Sequence, residues 1–194
     1  MVNLIIAGIG GQGINSLAKI LANVLLKSGY HCQFTIHKGG AQSLGSVYAE
    51  FRIDDQKLST LGQGIPKGQL DILVALEPWE ALRHVSLAHH KTHIWVETQL
   101  MPLFVERANE RNFELPHAQL DALPEIKIHW KSYQNIAQQK TKTIKMANYF
   151  AGLDCISAIN SHISFSTKSK PNDIDTYLFD TLFFKQIPKA KKIT

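Results

Sequence analysis

Six residues near the N-terminus, Gly8-Ile9-Gly10-Gly11-Gln12-Gly13, fit G-x-G-x-x-G and restrict how the chain can begin to fold. Val2 to Ala7 before them is a short apolar run, long enough for one buried strand. After them, Ile14, Leu17, Ala18, Leu21, Val24 and Leu25 recur at helical spacing, and Gly29 closes the pattern as a C-cap. The glycine turn therefore joins a parallel-type strand to a helix N-terminus. Glycine permits positive φ and close backbone approach. A helix N-terminus offers free N–H groups and partial positive charge to an anion. A tight strand–helix turn with no ligand has the same spacing, so the pattern alone does not choose between them.

The dinucleotide fingerprint also needs an Asp or Glu about 20 residues further on, to bind the ribose hydroxyls. The second strand, His31 to Ile36, instead ends in His37-Lys38, and no acidic residue occurs between Met1 and Ala49. NAD thus loses its ribose clamp, while NADP has only Lys38 to meet a 2′-phosphate. A P-loop fails too, because Ile14-Asn15 follows Gly13 where Lys and Ser/Thr are required.

Further along, strand and helix patterns alternate. "GSVYAEFRI" (residues 45–53) sets Val47, Ala49 and Phe51 against Tyr48, Glu50 and Arg52, a half-exposed strand. "LDILVAL" (70–76) and "THIWVET" (92–98) read as buried strands, with a short helix from Pro78 between them. Ile126, Ile128 and Trp130 suggest one more strand. Residues 135–160 read as one long helix. The C-terminal segment, about 172–187, reads as a helix capped by Asn172 or Asp173, with a stripe of Ile174, Tyr177, Leu178, Leu182 and Phe183 and a basic tail beyond. Ser164 to Asn172 is the only linker-like stretch. The expectation is one α/β domain over residues 1–194: Rossmann-like, doubly wound, mostly parallel, in three α/β/α layers. Ligands of such sheets bind beyond the strands' carboxyl ends. Gly8–Gly13, His37–Gly45 and Glu97–Pro102 point there.

Composition limits the function classes. No run of about 18 apolar residues is present, so no membrane span is expected. The N-terminus lacks a basic leader pattern. The two cysteines, Cys32 and Cys155, are too few for an iron–sulfur cluster and read as buried small hydrophobes in a reducing cytoplasm. Net charge is +5, but the cations are scattered apart from Lys140, Lys142 and Lys145 and the tail Lys189, Lys191 and Lys192. Aromatics do not interleave with them as on an RNA-binding sheet, so nucleic acid is not an expected partner. His89-His90 with Lys91 read as a solvated loop. His37 ends strand two beside the glycine loop.

Three blocks carry a family resemblance. "LIIAGIGGQGINSLAKILANVL" resembles the opening of the gamma subunit or domain of 2-oxoacid:ferredoxin oxidoreductases, the pyruvate, ketoisovalerate and indolepyruvate enzymes, and most of all the indolepyruvate type. Gln12 within Gly10-Gly11-Gln12-Gly13 matches a fixed part of that signature. "GGAQSLGSVYAEFRI" is similar to the family's A-Q-R-G-G-S-V block, and "DILVALEPWEALR" to its strand followed by E-P-x-E-A-L. Thr98-Gln99 and Pro102 also fit. One departure is Ser43-Leu44, where the family has Arg-Gly. An Arg there would be a natural contact for carboxylate or phosphate.

The resemblance implies a non-catalytic subunit, inactive alone, of a complex that oxidatively decarboxylates a 2-oxoacid to acyl-CoA. Thiamine diphosphate and iron–sulfur clusters would lie on other subunits, with CoA in the complex and no cofactor bound by this chain by itself. The sequence has no G-D-G…N segment for magnesium diphosphate and no evident acid–base pair, so no catalytic or metal-ligating residue is assigned. Gly8, Gly10, Gly11, Gln12, Gly13, Gly39, Gly40, Gln42, Ser43, Ser46 and Gln99 are the expected contacts to the partner's site or to an anionic cofactor group. Gln12 is expected to point into the space at the strand ends. The expected partners are the thiamine- and cluster-binding subunits, with a homodimer when the chain is isolated. A free-standing NADP- or flavin-dependent reductase and a ligand-free scaffold are the alternatives.

Overall fold

The computed structural model describes residues 1–39, 45–56, 64–100, 115–141, 146–164, 174 and 176–186. The first strand, β1 (Val2–Ile9), is buried at every position. Helix α1 (Ile14–Lys27) follows, and Gly29 at φ 88° ends it. Then come β2 (His31–Lys38), β3 (Ser46–Asp54), β4 (Leu70–Ala75), α2 (Pro78–His84), a 3-10 turn (Val85–Leu87) and β5 (Ala88–Glu97). The remaining described elements are α3 (Pro116–Asp121), β6 (Ile128–Lys131), α4 (Tyr133–Thr141), α5 (Ala147–Ser164) and α6 (Thr176–Gln186).

The six strands lie in the order β2-β3-β1-β4-β5-β6. The β1, β4, β5 and β6 neighbours pair in parallel, whereas β3 is antiparallel to both β1 and β2. The sheet is therefore mixed, with five strands pointing one way and β3 reversed. The segment from Lys38 to Ser46 is too short for a crossover, which takes a dozen or more residues, so β3 must return antiparallel. As a result β3 separates β2 from β1, and the end of β2 is displaced from the glycine loop by one strand.

Two apolar clusters flank the sheet. On one face Leu4, Ile6, Phe51, Ile72 and Val74 pack with α1, α5 and α6. On the other, Ile5, Ala7, Leu73, Ala75, Ile94 and Val96 pack with Ala81 of α2 and Leu120 of α3. This is the expected three-layer arrangement.

Several expectations change. The helix expected over 135–160 is two described helices, α4 and α5, packed on each other. The Tyr133 hydroxyl donates to Asp154 at 2.7 Å, a contact that 21 residues of straight helix would hold about 30 Å apart. Of the expected C-terminal stripe, Ile174 and Phe183 are buried and Leu178 and Leu182 pack against the core, whereas Tyr177 is 72% exposed and Phe179 is fully buried in its place. Phe179 packs against Gly152, where an added Cβ would come within 2.3 Å of its ring. His89 and His90 lie in β5 rather than a loop, and His89 pairs with Asp71 at 3.5 Å. Cys155 is buried, but Cys32 is only half-buried on edge strand β2, where burial still pushes its thiol up to about 12. The N-cap expected at Asn172 or Asp173 lies outside the described residues.

Candidate functional site

The ends of β1, β2, β4 and β5 and the start of β3 share one edge of the sheet. At its centre Gln12 is held inside the fold. Its Oε1 accepts from the Ile9 N–H at 2.8 Å, and its Nε2 donates to the Leu76 carbonyl at 2.8 Å, across from β1 to the end of β4. This corrects the expectation that the amide points into open space: Gln12 ties two strand ends together. Gly8 makes room for it, since a Cβ at Gly8 would sit 2.5 Å from Gln12 Oε1. The Gly10 N–H donates to the Gly45 carbonyl and the Gln12 N–H to Ile9, so both are satisfied within the chain.

The other two glycines differ. Gly11 takes φ 98° and an added Cβ would meet nothing within 4 Å, so this part of the loop faces open space. Gly13 is the N-cap of α1 at φ 76°, and a Cβ there would lie 2.4 Å from Asn148 Nδ2. Asn148, on α5, donates to the Gln12 carbonyl at 2.6 Å and clamps the loop from outside. Gly13→Ala is expected to cost about 1–2 kcal/mol, the price of a left-handed L-residue, with Asn148 displaced as well. Urea unfolding measures it.

No side chain caps the N-terminus of α1 among the described residues, and its first turn carries no acid. It opens on a cavity of about 550 Å³ lined by Gly10, Gly11, Gly13, Asn15, Lys38 and Gly39. A helix N-terminus beside a lysine can hold an anionic group. Gly39 and Ser46 close the base of the intervening loop, the Gly39 N–H donating to the Ser46 carbonyl at 2.7 Å. Gly40, Gln42, Ser43 and Leu44 lie outside the described residues.

Ser46 itself faces away from the cavity. Its side chain, with Tyr48, lies on the α2 face, whereas Val47 lies on the α1 face. Its hydroxyl donates to Glu80 Oε2 at 2.6 Å, and Arg83 Nε donates to Glu80 Oε1 at 3.0 Å. Glu77 precedes Pro78 as N-cap of α2 and accepts from the Glu80 N–H at 3.1 Å. Both carboxylates are buried. The sequence signal for them was the E-P-x-E spacing, a cap residue followed by an acid three residues on. Alongside, His37 stacks on Tyr48 at 4.4 Å, Tyr48 contacts His84 at 4.5 Å, and His37 lies 3.6 Å from Glu50.

Gln99 belongs to a third group, at the end of β5. Its side chain donates to Asn135 at 3.3 Å. The buried Glu97 accepts from the Gln99 N–H at 3.2 Å and from the Gln134 N–H at 3.0 Å, which caps α4. Tyr133 is held protonated, its hydroxyl raised first by burial and then by Asp154, which also lies 3.6 Å from Lys131. The structure thus brings Gly10, Gly11, Gly13 and Gly39 to one cavity, and sets Ser46 and Gln99 on separate hydrogen-bond networks along the same edge. Glu77 and Glu80 lie in the E-P-x-E block and Glu97 opens the Glu97–Pro102 segment, all without an assigned role, and Asn148 is the residue that sequence reasoning missed. The described residues contain no group of three or more His, Cys, Asp or Glu placed to hold a metal ion. No described helix is long and apolar enough to cross a membrane.

Comparison with known proteins fits this arrangement. Residues 3–152 match the family model for pyruvate ferredoxin/flavodoxin oxidoreductase. Indolepyruvate oxidoreductase subunit IorB of Pyrococcus horikoshii is 38% identical over 84 residues, 43% of this chain and 40% of that one. Its counterpart in Methanothermobacter thermautotrophicus is 31% identical over 102 residues, 53% and 50% of the two chains. The matches thus span half or less of these relatives' lengths. Among solved structures, the gamma subunit of a keto/oxoacid ferredoxin oxidoreductase from Geobacter sulfurreducens superposes at TM-score 0.58 with 16% identity, covering 98% of this chain and 89% of that one. A 2-oxoglutarate:ferredoxin oxidoreductase from Magnetococcus marinus reaches 0.65 at 15% identity, with 98% of this chain on 28% of that one. At such identities the structural matches speak for the fold. The family match covers most of the chain, including the glycine turn, the β3 block and the E-P-x-E turn: the chain belongs to the pyruvate ferredoxin/flavodoxin oxidoreductase family.

Proposed function

We propose that this chain is the gamma-type, non-catalytic subunit of a thiamine diphosphate-dependent 2-oxoacid:ferredoxin oxidoreductase of the cytoplasm. Its partners would be the subunits that carry thiamine diphosphate and the iron–sulfur clusters, and the complex would use CoA. This chain's cysteines do not fit an iron–sulfur cluster. The chain has two cysteines, one buried in α5 and one on β2, and no metal-ligating constellation among the described residues. What it offers is the strand-end edge. The observation carrying the reading is the α1 N-terminus, uncapped by any described side chain and open beside Gly11 and Lys38. That cavity would accept an anionic group presented by the partner, whether from cofactor, CoA or a carboxylate side chain.

The test is reconstitution with the thiamine- and cluster-binding subunits. The isolated chain is expected to oxidise no 2-oxoacid when thiamine diphosphate and CoA are supplied. In the assembled enzyme, Lys38→Glu is expected to lower activity about tenfold, equivalent to roughly 1.4 kcal/mol. Its effect on stability should stay within about 0.5 kcal/mol, as for a surface position. Gly11→Asn places a neutral side chain in the same opening, since Asn tolerates positive φ, and should act in the same direction. Full activity in both variants would remove the cavity from function, and turnover by the isolated chain would overturn the subunit assignment. Alone, the chain is expected to pair with itself through the same edge. Light scattering checks this, a strict monomer counting against it.

A further inference from the structure

On the α1 and α5 side, the sheet changes character beyond β4. The residues beside Ile72 and Val74 on β5 are His93 and Trp95, and His129 of β6 lies beside Trp95. Their rings form a row. His93 and Trp95 lie 5.6 Å apart at 15°, and Trp95 and His129 lie 5.4 Å apart at 21°. His162 of α5 closes one end, edge-on to His93 at 5.0 Å. A face made only for packing would continue the apolar pattern of β4. Here the rings remain accessible, His93 exposed and Trp95 and His129 half-buried.

This row lines a cavity of about 830 Å³, within the range of small-molecule sites. Lys91 and Lys127 line it as well, and neither forms an ion pair among the described residues. Ser157 and Ser161 contribute hydroxyls from α5, and Glu125 is the one carboxylate among the described lining residues. A planar aromatic group can extend such a row by stacking or meet its ring edges, with little dependence on which ring is offered. Cations and hydroxyls beside them recognise an anion. Three ligand nitrogens placed for a metal are not present among the described residues.

We propose that this cavity is a second binding site, distinct from the strand-end edge, for a small planar aromatic anion. The glycine turn lies on β1, two strands away, so the two sites do not share lining residues. The chemistry is common to a nucleotide, with its base and phosphate, and to an aromatic carboxylic acid.

Calorimetric titration of the full chain with AMP and, separately, with indole-3-acetate tests it. At least one probe is expected to bind one-to-one with a dissociation constant below about 1 mM. Binding of AMP alone marks a nucleotide site, and binding of indole-3-acetate alone an aryl-acid site. Trp95→Leu is expected to weaken binding by about tenfold or more, in line with loss of a stacking ring. His93→Ala, at an exposed position, should weaken it too, while His93→Phe should restore most of it. These two variants keep the test sound if Trp95→Leu fails to fold. Lys91→Gln combined with Lys127→Gln should flatten the salt dependence. Failure of both probes to bind at millimolar concentration overturns the site. So does binding that Gly11→Asn abolishes and His93→Ala leaves untouched. So, too, does protection of His93 from carbethoxylation by an added partner subunit and by neither probe, which would make the face an interface.

Discussion

Gln12→Ala is expected to lower the unfolding free energy by about 3 kcal/mol, because it orphans two buried backbone groups at about 1–3 kcal/mol each. Ile9 and Leu76 are 1% and 4% exposed, so both backbone groups lie away from bulk water, and the half-buried Gln12 amide is what satisfies them. The bonds concerned are short, 2.8 Å each, and join β1 to β4, neighbours at the middle of the sheet. Gln12→Glu keeps the acceptor for Ile9 but sets a carboxylate oxygen against the Leu76 carbonyl, so at pH 7 it should be at least as destabilising as alanine. A double-mutant cycle isolates the cause. Gly8→Ala alone forces a Cβ against Gln12 Oε1 at 2.5 Å, whereas in the Gln12→Ala background that oxygen is gone. The two substitutions should therefore be non-additive by on the order of 1 kcal/mol. Urea unfolding gives all four values. A loss under about 0.5 kcal/mol for Gln12→Ala, with activity lost in the assembled enzyme, would instead mean that the amide works outward on the partner.

The same residue shows what could be read from the sequence and what could not. The unit β1–glycine turn–α1 was legible because its signals are local: an apolar run, glycines, then helical spacing up to Gly29. The direction of Gln12 was not. It depends on the Leu76 carbonyl, 64 residues away, and on the missing Cβ of Gly8. Asn148, which clamps the turn from 136 residues away, carries no local signal at all. The mixed sheet had a partial signal in the short Lys38–Ser46 connection, which rules out a parallel crossover. That β3 pairs with β1 as well as β2 follows only from the tertiary structure. The split of 135–160 into α4 and α5 was masked because both halves are helical and only the packing of Tyr133 on Asp154 reveals the reversal. The family signature, by contrast, was fully legible, since it rests on residue identity at the turns and not on pairing.

Acid is expected to weaken the α2 side of the strand-end edge through His84. This residue is 8% exposed, its Nε2 finds no partner among the described residues, and its ring lies against Tyr48. Burial, then the charges of Arg83 and His37, lower its pKa from 6.5 to about 4. The sign follows from proton linkage. Between these two values the unfolded chain binds a proton that the folded chain refuses, so protons favour unfolding there. Stability from this site is fully present above pH 6.5, falls as pH drops toward 4, and levels off below. A depression of this size corresponds to a loss of about 3 kcal/mol across that window. Ser46 joins β3 to the same helix through Glu80, so the loosening should reach the base of the Gly39–Ser46 loop. His84→Phe keeps a ring against Tyr48 and removes the titration. Urea unfolding at pH 7 and pH 4.5 is expected to show a clearly smaller acid loss in this variant than in wild type. If both proteins lose the same stability, the acid sensitivity arises elsewhere in the chain and His84 only packs.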